Sequence, residues 1–346
     1  HPAFGFHNND ARALISYDYD QVAKYRSILR RGDSIHIVDD PYDGKEQYED
    51  LTGAEIADLV AHGPEVISLD TEGYPTDPWS LQIAMKEGTG YLLRYSQPDF
   101  QEGIDALQHC ADKGTTYVMH NAMYDIEMSR VMGLDLREAP VWDSMYAAYL
   151  MRLEPQSLKA LAWRWLRMKM ATYTDTIGDV ALDRQIEYLT RVYLDDAWES
   201  PEPRVVMKND GTAKVYTPWP IKRRVEAILK DYSYKPDVDV YDRWVKKMDK
   251  ELRLQVEDKY DPMPIGGLGD IPLEDALFYS ARDAEASIRL YNVLQPELKE
   301  RELDTLMSQG METLPVFEEM QATGMPGSKS AFVSMRDQMT EEMDEI

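Results

Sequence analysis

Cysteine is almost missing: Cys110 stands alone in 346 residues. Disulfides within the chain are excluded, and so is a zinc site built from several cysteines. A reducing, cytoplasmic setting is the expectation. No apolar run approaches the roughly 18 residues of a membrane span. No signal-peptide pattern opens the chain, so a membrane is not an expected partner. Positive charge is scarce, with 38 Lys and Arg against 63 Asp and Glu, a net charge of −25. Such a balance argues against a protein that coats nucleic-acid phosphates along its whole surface. It leaves room for a local basic strip, or for a site where metal ions sit between carboxylates and a phosphate. Repeats and low-complexity tracts are lacking, and no Gly-x-Gly-x-x-Gly follows the first strong strand, which excludes a dinucleotide-binding unit. The chain begins at His1-Pro2 and stops at Glu345-Ile346 inside a helical pattern, and it reads as a fragment.

What is present is enough for one large or two ordinary domains, with 43% hydrophobic residues. Residues 1–64 read as an N-terminal arm and lead-in, with a weak edge strand at Ser34–Val38 and a Thr-capped helix over Thr52–Val60. Val66-Ile67-Ser68-Leu69 is a short apolar run ending at Asp70, a buried strand. Leu81–Met85 and Gly90–Arg94 flank Glu87-Gly88-Thr89-Gly90, a hairpin signal. A helix over Phe100–Cys110, a strand at Thr116–Met119, a helix from Asn121 to Met132 and a strand at Pro140-Val141-Trp142 follow. This order predicts an α/β fold with a mixed five-stranded sheet flanked by helices. Residues 171–270 are rich in proline and read as a mostly helical insertion. The tail, Glu312–Ile346, reads as two helices broken at Gly324-Met325-Pro326-Gly327.

Three sets of residues are candidates for chemistry. Asp70 and Glu72 are i and i+2 on a strand and so project from the same side of the sheet. Two such carboxylates repel each other unless one is protonated or a cation lies between them. Acid-x-acid spacing is frequent by chance in so acidic a chain, and what singles out this pair is its place directly after a buried apolar run. Asn121 and Asp125 share one face at the start of a helix. Their alternative reading is an N-cap and a first-turn acid favoured by the helix dipole. Tyr279 and Asp283 are again i and i+4 on a helix, and could equally be a half-buried tyrosine and a surface acid.

In this order the three sets resemble the 3′→5′ exonucleases that carry four acidic ligands and a tyrosine on a ribonuclease H-like fold. Trp142-Asp143-Ser144-Met145-Tyr146-Ala147-Ala148-Tyr149-Leu150, with Ser157–Ala162 after it, resembles a stretch of family A DNA polymerases of the bacterial polymerase I type. Phe278–Leu290 is similar to the third exonuclease motif of those proteins. Thr313–Met320 with Gly324-Met325 resembles the lead-in to their polymerase module. The resemblance covers residues 65–170 and 272–346, and it departs at Gly73–Trp79 and at the long 171–270 segment. It implies that residues 65–309 form a proofreading exonuclease and that 310–346 begin a truncated polymerase module. The implied cofactors are two Mg²⁺ or Mn²⁺ ions. Asp70 would bridge them, Glu72 and Asp283 would hold the water-activating ion, and Asp125 would help hold the other. Tyr279 would orient the attacking water, and Asn121 would anchor the loop or the substrate. The implied partners are the 3′ end of single-stranded or frayed DNA and the polymerase module. Competing expectations are a ribonuclease D- or Werner-like exonuclease acting on RNA or DNA, and an inactive exonuclease domain kept as a brace.

Charge is unevenly spread. Residues 203–235 hold eight Lys and Arg against three acids, and 151–170 hold five, Lys159 among them, against Glu154. Aromatics are interleaved in both, as single-strand binding requires. Lys222, Arg223 and Arg224 are the expected phosphate contacts, on an insertion that would guide the strand toward Asp70 and Asp125. The alternative is that these charges pair with acidic surroundings.

Overall fold

The computed structural model describes residues 40–198, 202–207, 212–235 and 239–324, with single positions beyond 327. The expected edge strand at Ser34–Val38 and the second tail helix lie outside the described residues. The described chain divides into two compact units, one built from residues up to Met170 and from Ser280 onward, the other being Ala171–Tyr279.

The first unit is organised by the apolar run at residue 66. It opens β2 (Val66–Tyr74), which pairs antiparallel with β3 (Asp77–Ala84), itself antiparallel to β4 (Thr89–Arg94). On the other side β5 (Thr116–Met119) and β6 (Val141–Asp143) continue the sheet in parallel. The order is β1-β4-β3-β2-β5-β6, a ribonuclease H-like mixed sheet. The sixth strand, β1 (Gln47–Asp50), goes beyond the five expected and runs parallel to β4. Gln47-Tyr48-Glu49-Asp50 has no apolar run to announce it. Its pairing is reinforced by the fork of Arg94, whose Nη2 and Nε reach Asp50 at 2.8 and 3.0 Å.

Strand alternation sends Ile67 and Leu69 to one face of the sheet. There they pack with Leu81, Ile83, Tyr117 and Met119 against α1 (Gly53–Val60), α2 (Phe100–Asp112) and α3 (Ala122–Val131). Each such buried side chain stabilises the fold by about 1.5–3 kcal/mol. Thr52 caps α1 and closes a capping box with Glu55. On the opposite face Val118 and Trp142 pack with α4 (Ser144–Leu150), the short α5 (Leu158–Leu161) and α10 (Leu273–Glu300). Small buried residues, Ser280, Ala281, Ala284 and Ser287, let α10 lie close to the strands. Ser68 Oγ donates to the Ala284 carbonyl at 2.7 Å. A final helix, α11 (Asp304–Thr323), belongs to this same unit. Leu314 packs on the core, Met307 is buried in it, and Glu318 meets Arg130 at 2.9 Å. Part of the stretch that resembles a polymerase lead-in thus packs on the first unit.

The second unit contains α6 (Tyr173–Leu194), a hairpin of β7 (Arg204–Met207) and β8 (Ala213–Tyr216), α7 (Ile221–Tyr234), α8 (Val240–Lys247) and α9 (Lys250–Tyr260). Its own core holds Tyr188, Leu189, Val192, Val225, Ile228, Trp244 and Val256. The Tyr188 and Trp244 rings meet edge-on at 5.9 Å. The segment is helical as expected, apart from the hairpin. Among the described residues no helix is long and apolar enough to cross a membrane.

One backbone position governs the tip of the β2–β3 hairpin. The register shifts between Glu72 and Gly73, and Gly73 has φ +114°. A Cβ there would lie 2.6 Å from the Trp79 nitrogen and 2.7 Å from the Asp77 oxygen, both backbone atoms. Gly73→Ala is expected to cost about 1–3 kcal/mol, from the left-handed backbone and the forced shift together. Gly63→Ala, also at positive φ (+67°) but in open space, is expected to cost only about 1 kcal/mol. Urea denaturation of the two variants measures the difference, and equal losses would show that the hairpin accommodates the methyl group.

Candidate metal centre

The same alternation that buries Ile67 and Leu69 turns Ser68, Asp70 and Glu72 toward α10. Ser68 holds the backbone of Ala284, which places Asp283 beside the strand. The pairing of β2 with β5 ends at Ser68, so the two acids emerge where the parallel half of the sheet stops. The carboxylate oxygens of Asp70, Glu72 and Asp283 all lie within 4.8 Å of one another. β2 itself continues past the expected end at Asp70 to Tyr74, so the pair stands within a hairpin strand rather than at its terminus.

Asp125 reaches the site from the other face. It is buried on the first turn of α3, and one oxygen accepts from Thr71 Oγ1 at 2.6 Å. Its charge is still the largest single charge acting on Asp70. The structure thus joins three of the predicted ligands as one cluster and sets the fourth beside it. Asn121 occupies the N-cap position of α3 in a left-handed conformation, φ 65° and ψ 54°, and its side chain does not cap the helix. Capping falls to Asp143, whose carboxylate accepts from the Asn121 and Ala122 nitrogens at 3.0 and 2.9 Å and from Met145 at 2.8 Å. Asp143 therefore fixes the starts of both α3 and α4. His120 binds Ser144 Oγ through Nδ1 at 2.8 Å, and burial pushes its pKa down to about 4, in keeping with a structural neutral ring. Tyr124 donates to the Gly73 carbonyl at 2.6 Å and ties α3 to the hairpin tip. Tyr279 lies one helical turn before Asp283 on α10, half-buried, with its ring 6.0 Å from that of Tyr173.

The carboxylates are shifted together. Burial, reinforced by Asp125, Asp283 and Glu72, holds the Asp70 carboxyl well above its ordinary range. Burial and the charge of Asp283 raise Glu72 to about 8. Burial raises Asp125 to about 8 against the opposing hydrogen bond from Thr71. Asp283 rises to about 7 through burial, opposed by Lys159 and Arg282. Lys159 on α5 opposes the rise at Asp70 and Glu72 as well. The sequence placed it only in a basic strip, and no spacing rule ties it to the acids. Four clustered acids that favour protons, Asp125 buried and the others half-buried, have a deficit of positive charge, and their hard oxygen donors suit Mg²⁺ or Mn²⁺. The residues present fit a divalent metal.

The predicted phosphate contacts lie in the second unit. Lys222 pairs with Asp196 at 2.8 Å. Arg223 is exposed and stacks on Trp219, 4.2 Å from the ring centre. The Arg224 side chain is only 12% exposed and is bound internally, with Nη1 donating to the Lys247 carbonyl at 2.7 Å and Nε to the Trp219 carbonyl at 3.2 Å.

A family model described as 3′-5′ exonuclease matches residues 39–199. No curated protein matches the sequence. Solved structures that the chain resembles include Brucella melitensis NrnC, at 14% identity over 80% of this chain and 93% of that one, TM-score 0.41. The catalytic core of RRP6 from Trypanosoma brucei matches at 12% identity over 77% and 52%, TM-score 0.41. Trypanosoma brucei RNase D in complex with RNA U12 matches at 11% over 71% and 62%, TM-score 0.34. These are nucleases, not polymerase proofreading domains. The expectation of a family A DNA polymerase, with proofreading as its task and a polymerase module as its partner, is corrected accordingly.

The raised carboxyls make metal-free stability depend on pH. A carboxyl whose pKa is higher in the fold than in the unfolded chain binds more proton when folded, so stability falls as pH rises through the folded value. The window set by Glu72, Asp125 and Asp283 runs from the ordinary carboxylate range up to about 8. Below about 6.5 the depressed His120 works in the opposite direction. In chelator, the melting temperature is expected to be higher at pH 6.5 than at pH 8.5. Asp70→Asn should raise stability at pH 8.5 by about 1 kcal/mol or more. A pH-independent melting temperature over this range, or a destabilised Asp70→Asn, would contradict the electrostatics.

Proposed function

We propose that this chain is a metal-dependent exonuclease that removes nucleoside 5′-monophosphates from the 3′ end of a nucleic acid strand. The observation that carries the reading is the half-buried cluster of Asp70, Glu72 and Asp283 with the buried Asp125 beside it. The 3′-5′ exonuclease description of the family model over residues 39–199 supports the direction of attack. Two Mg²⁺ or Mn²⁺ ions are the proposed cofactors, and Asp70, Glu72, Asp283 and Asp125 would hold them. Bound there, such ions supply Lewis acidity at the scissile phosphate and lower the pKa of the attacking water.

The chain's own groups do the rest. Glu72 and Asp283, on separate elements, fix one side of the centre against the rigid β2–α10 contact. Thr71 orients Asp125 by hydrogen bonding to its carboxylate. Tyr279 is a poor base at neutral pH, since a phenol ordinarily titrates near 10. Its proposed part is to orient water by hydrogen bonding, one turn from Asp283. Asn121, exposed and turned outward by its left-handed backbone, is a proposed substrate contact. RNA and DNA ends present the same phosphodiester to this centre.

The test is incubation of the chain with 5′-labelled single-stranded DNA and RNA in Mg²⁺, Mn²⁺ or chelator. A ladder shortening from the 3′ end, abolished by chelator, is expected on at least one polymer. Asp70→Ala and Asp283→Ala should lose activity by orders of magnitude while remaining folded. Tyr279→Phe should cost about 10–100-fold, the range for groups that orient rather than bind. Near-full metal-dependent activity in Asp70→Ala would overturn the assignment.

A further inference from the structure

The second unit carries a cavity of about 500 Å³ whose walls include Tyr216, Arg224, Lys246, Asp249, Lys250 and Arg253. Four cations and one carboxylate are an unusual lining in a chain of net charge −25. The carboxylate is already engaged. Asp249 caps α9 by accepting from the Leu252 nitrogen at 3.1 Å, and Arg224 faces it at 3.5 Å. Arg224 is in turn fixed by its bonds to the carbonyls of Trp219 and Lys247. Arg224 and Asp249 thus form a pair close to neutral.

The other three cations are less committed. Among the described residues Lys246 pairs only with Asp242, one turn away on α8 and well exposed, and such pairs contribute little. Lys250 is exposed at the first position of α9, where the helix dipole adds to its charge. Arg253 is the most telling. Its Nε is buried and, among the described residues, makes no hydrogen bond, with a Glu257 carboxylate oxygen at 3.8 Å. The Arg253 side chain is 27% exposed and lines the cavity, so the accessible part of its guanidinium can meet an anionic oxygen there. Tyr216, 40% exposed, adds a flat ring to the lining. Guanidinium, ammonium and an aromatic face around one concavity are the groups that hold a phosphate and stack a base.

We infer that this cavity binds a nucleotide phosphate, belonging either to an internal phosphodiester of a single strand or to a free mononucleotide. The inference rests on the cavity and not on the carboxylate centre, so it is tested where no hydrolysis can occur. Binding to the full chain is measured in chelator by fluorescence anisotropy of a labelled single-stranded oligonucleotide, with a 5′-mononucleotide and inorganic phosphate as competitors. Lys246→Ala with Lys250→Ala, both exposed and harmless to the core, should weaken oligonucleotide binding about tenfold. The same pair should lower the salt slope by about two, one for each phosphate left without its lysine. Adding Arg253→Gln should weaken binding further, and Arg253→Lys in its place should restore most of that loss. Lys230→Ala, a cation of the same unit outside the cavity lining, should change affinity less than twofold. Competition by the mononucleotide that disappears in the same variants assigns the site to free nucleotide as well as to a strand. Strand binding that disappears without such competition assigns it to a strand alone. Unchanged affinity for the oligonucleotide and the mononucleotide in the triple variant would overturn the inference.

Discussion

The first unit is built around a repulsion. Asp70, Glu72 and Asp283 bring their oxygens within 4.8 Å of one another, Asp125 adds its charge from the far side of β2, and partial burial reduces the water that would screen them. Charges so placed cannot all ionise without a cation, and each carboxyl is shifted toward its protonated form. No folding purpose is served by such an arrangement, since removing a charge relieves it. The surrounding structure has to hold the acids in position against that repulsion.

It does so on the far side of α10. Arg289 donates to Asp40 at 2.8 Å and to Glu285 at 3.2 Å, and Glu285 also accepts from the Gly88 nitrogen at 2.8 Å and from Tyr48. Arg282 pairs with Glu46 and donates to the Lys169 carbonyl. These groups are almost fully buried and mutually satisfied, the condition under which buried ions fix geometry rather than weaken it. They lock the register of α10 against β1 and the turn before β4. Asp283, next to Arg282, inherits that register. Ser68 adds a second fixed point one residue on, at Ala284.

Much of this was legible in the sequence, and the limits are physical. The apolar run before Asp70, the i and i+2 spacing on a strand, and the helical turn before Asp125 are local patterns, and the structure follows them. β1 was not legible because it is held by a partner strand and a salt bridge, not by its own composition. Lys159 was not legible because its approach to the acids depends on how α5 packs. Arg224 read as a surface cation but is a buried tie between the carbonyls of Trp219 and Lys247. The likeness to a polymerase lead-in at Thr313–Met320 falls on a stretch that packs on the core through Leu314 and pairs Glu318 with Arg130, while Val316, Phe317 and Met320 stay exposed. The cations around Arg253 are scattered over three helices, and only the fold collects them.

The central claim is that the clustered acids keep protons which a divalent metal displaces. Calorimetric titration with Mn²⁺ at pH 7, repeated in two buffers of different ionisation enthalpy, measures that displacement directly. With Glu72 and Asp125 raised to about 8 and Asp283 to about 7, binding should release at least about one proton per chain. The release should shrink toward zero by about pH 9, where the same carboxyls have already ionised. Mn²⁺ binding with no proton release at pH 7, or no binding at all, would contradict the account.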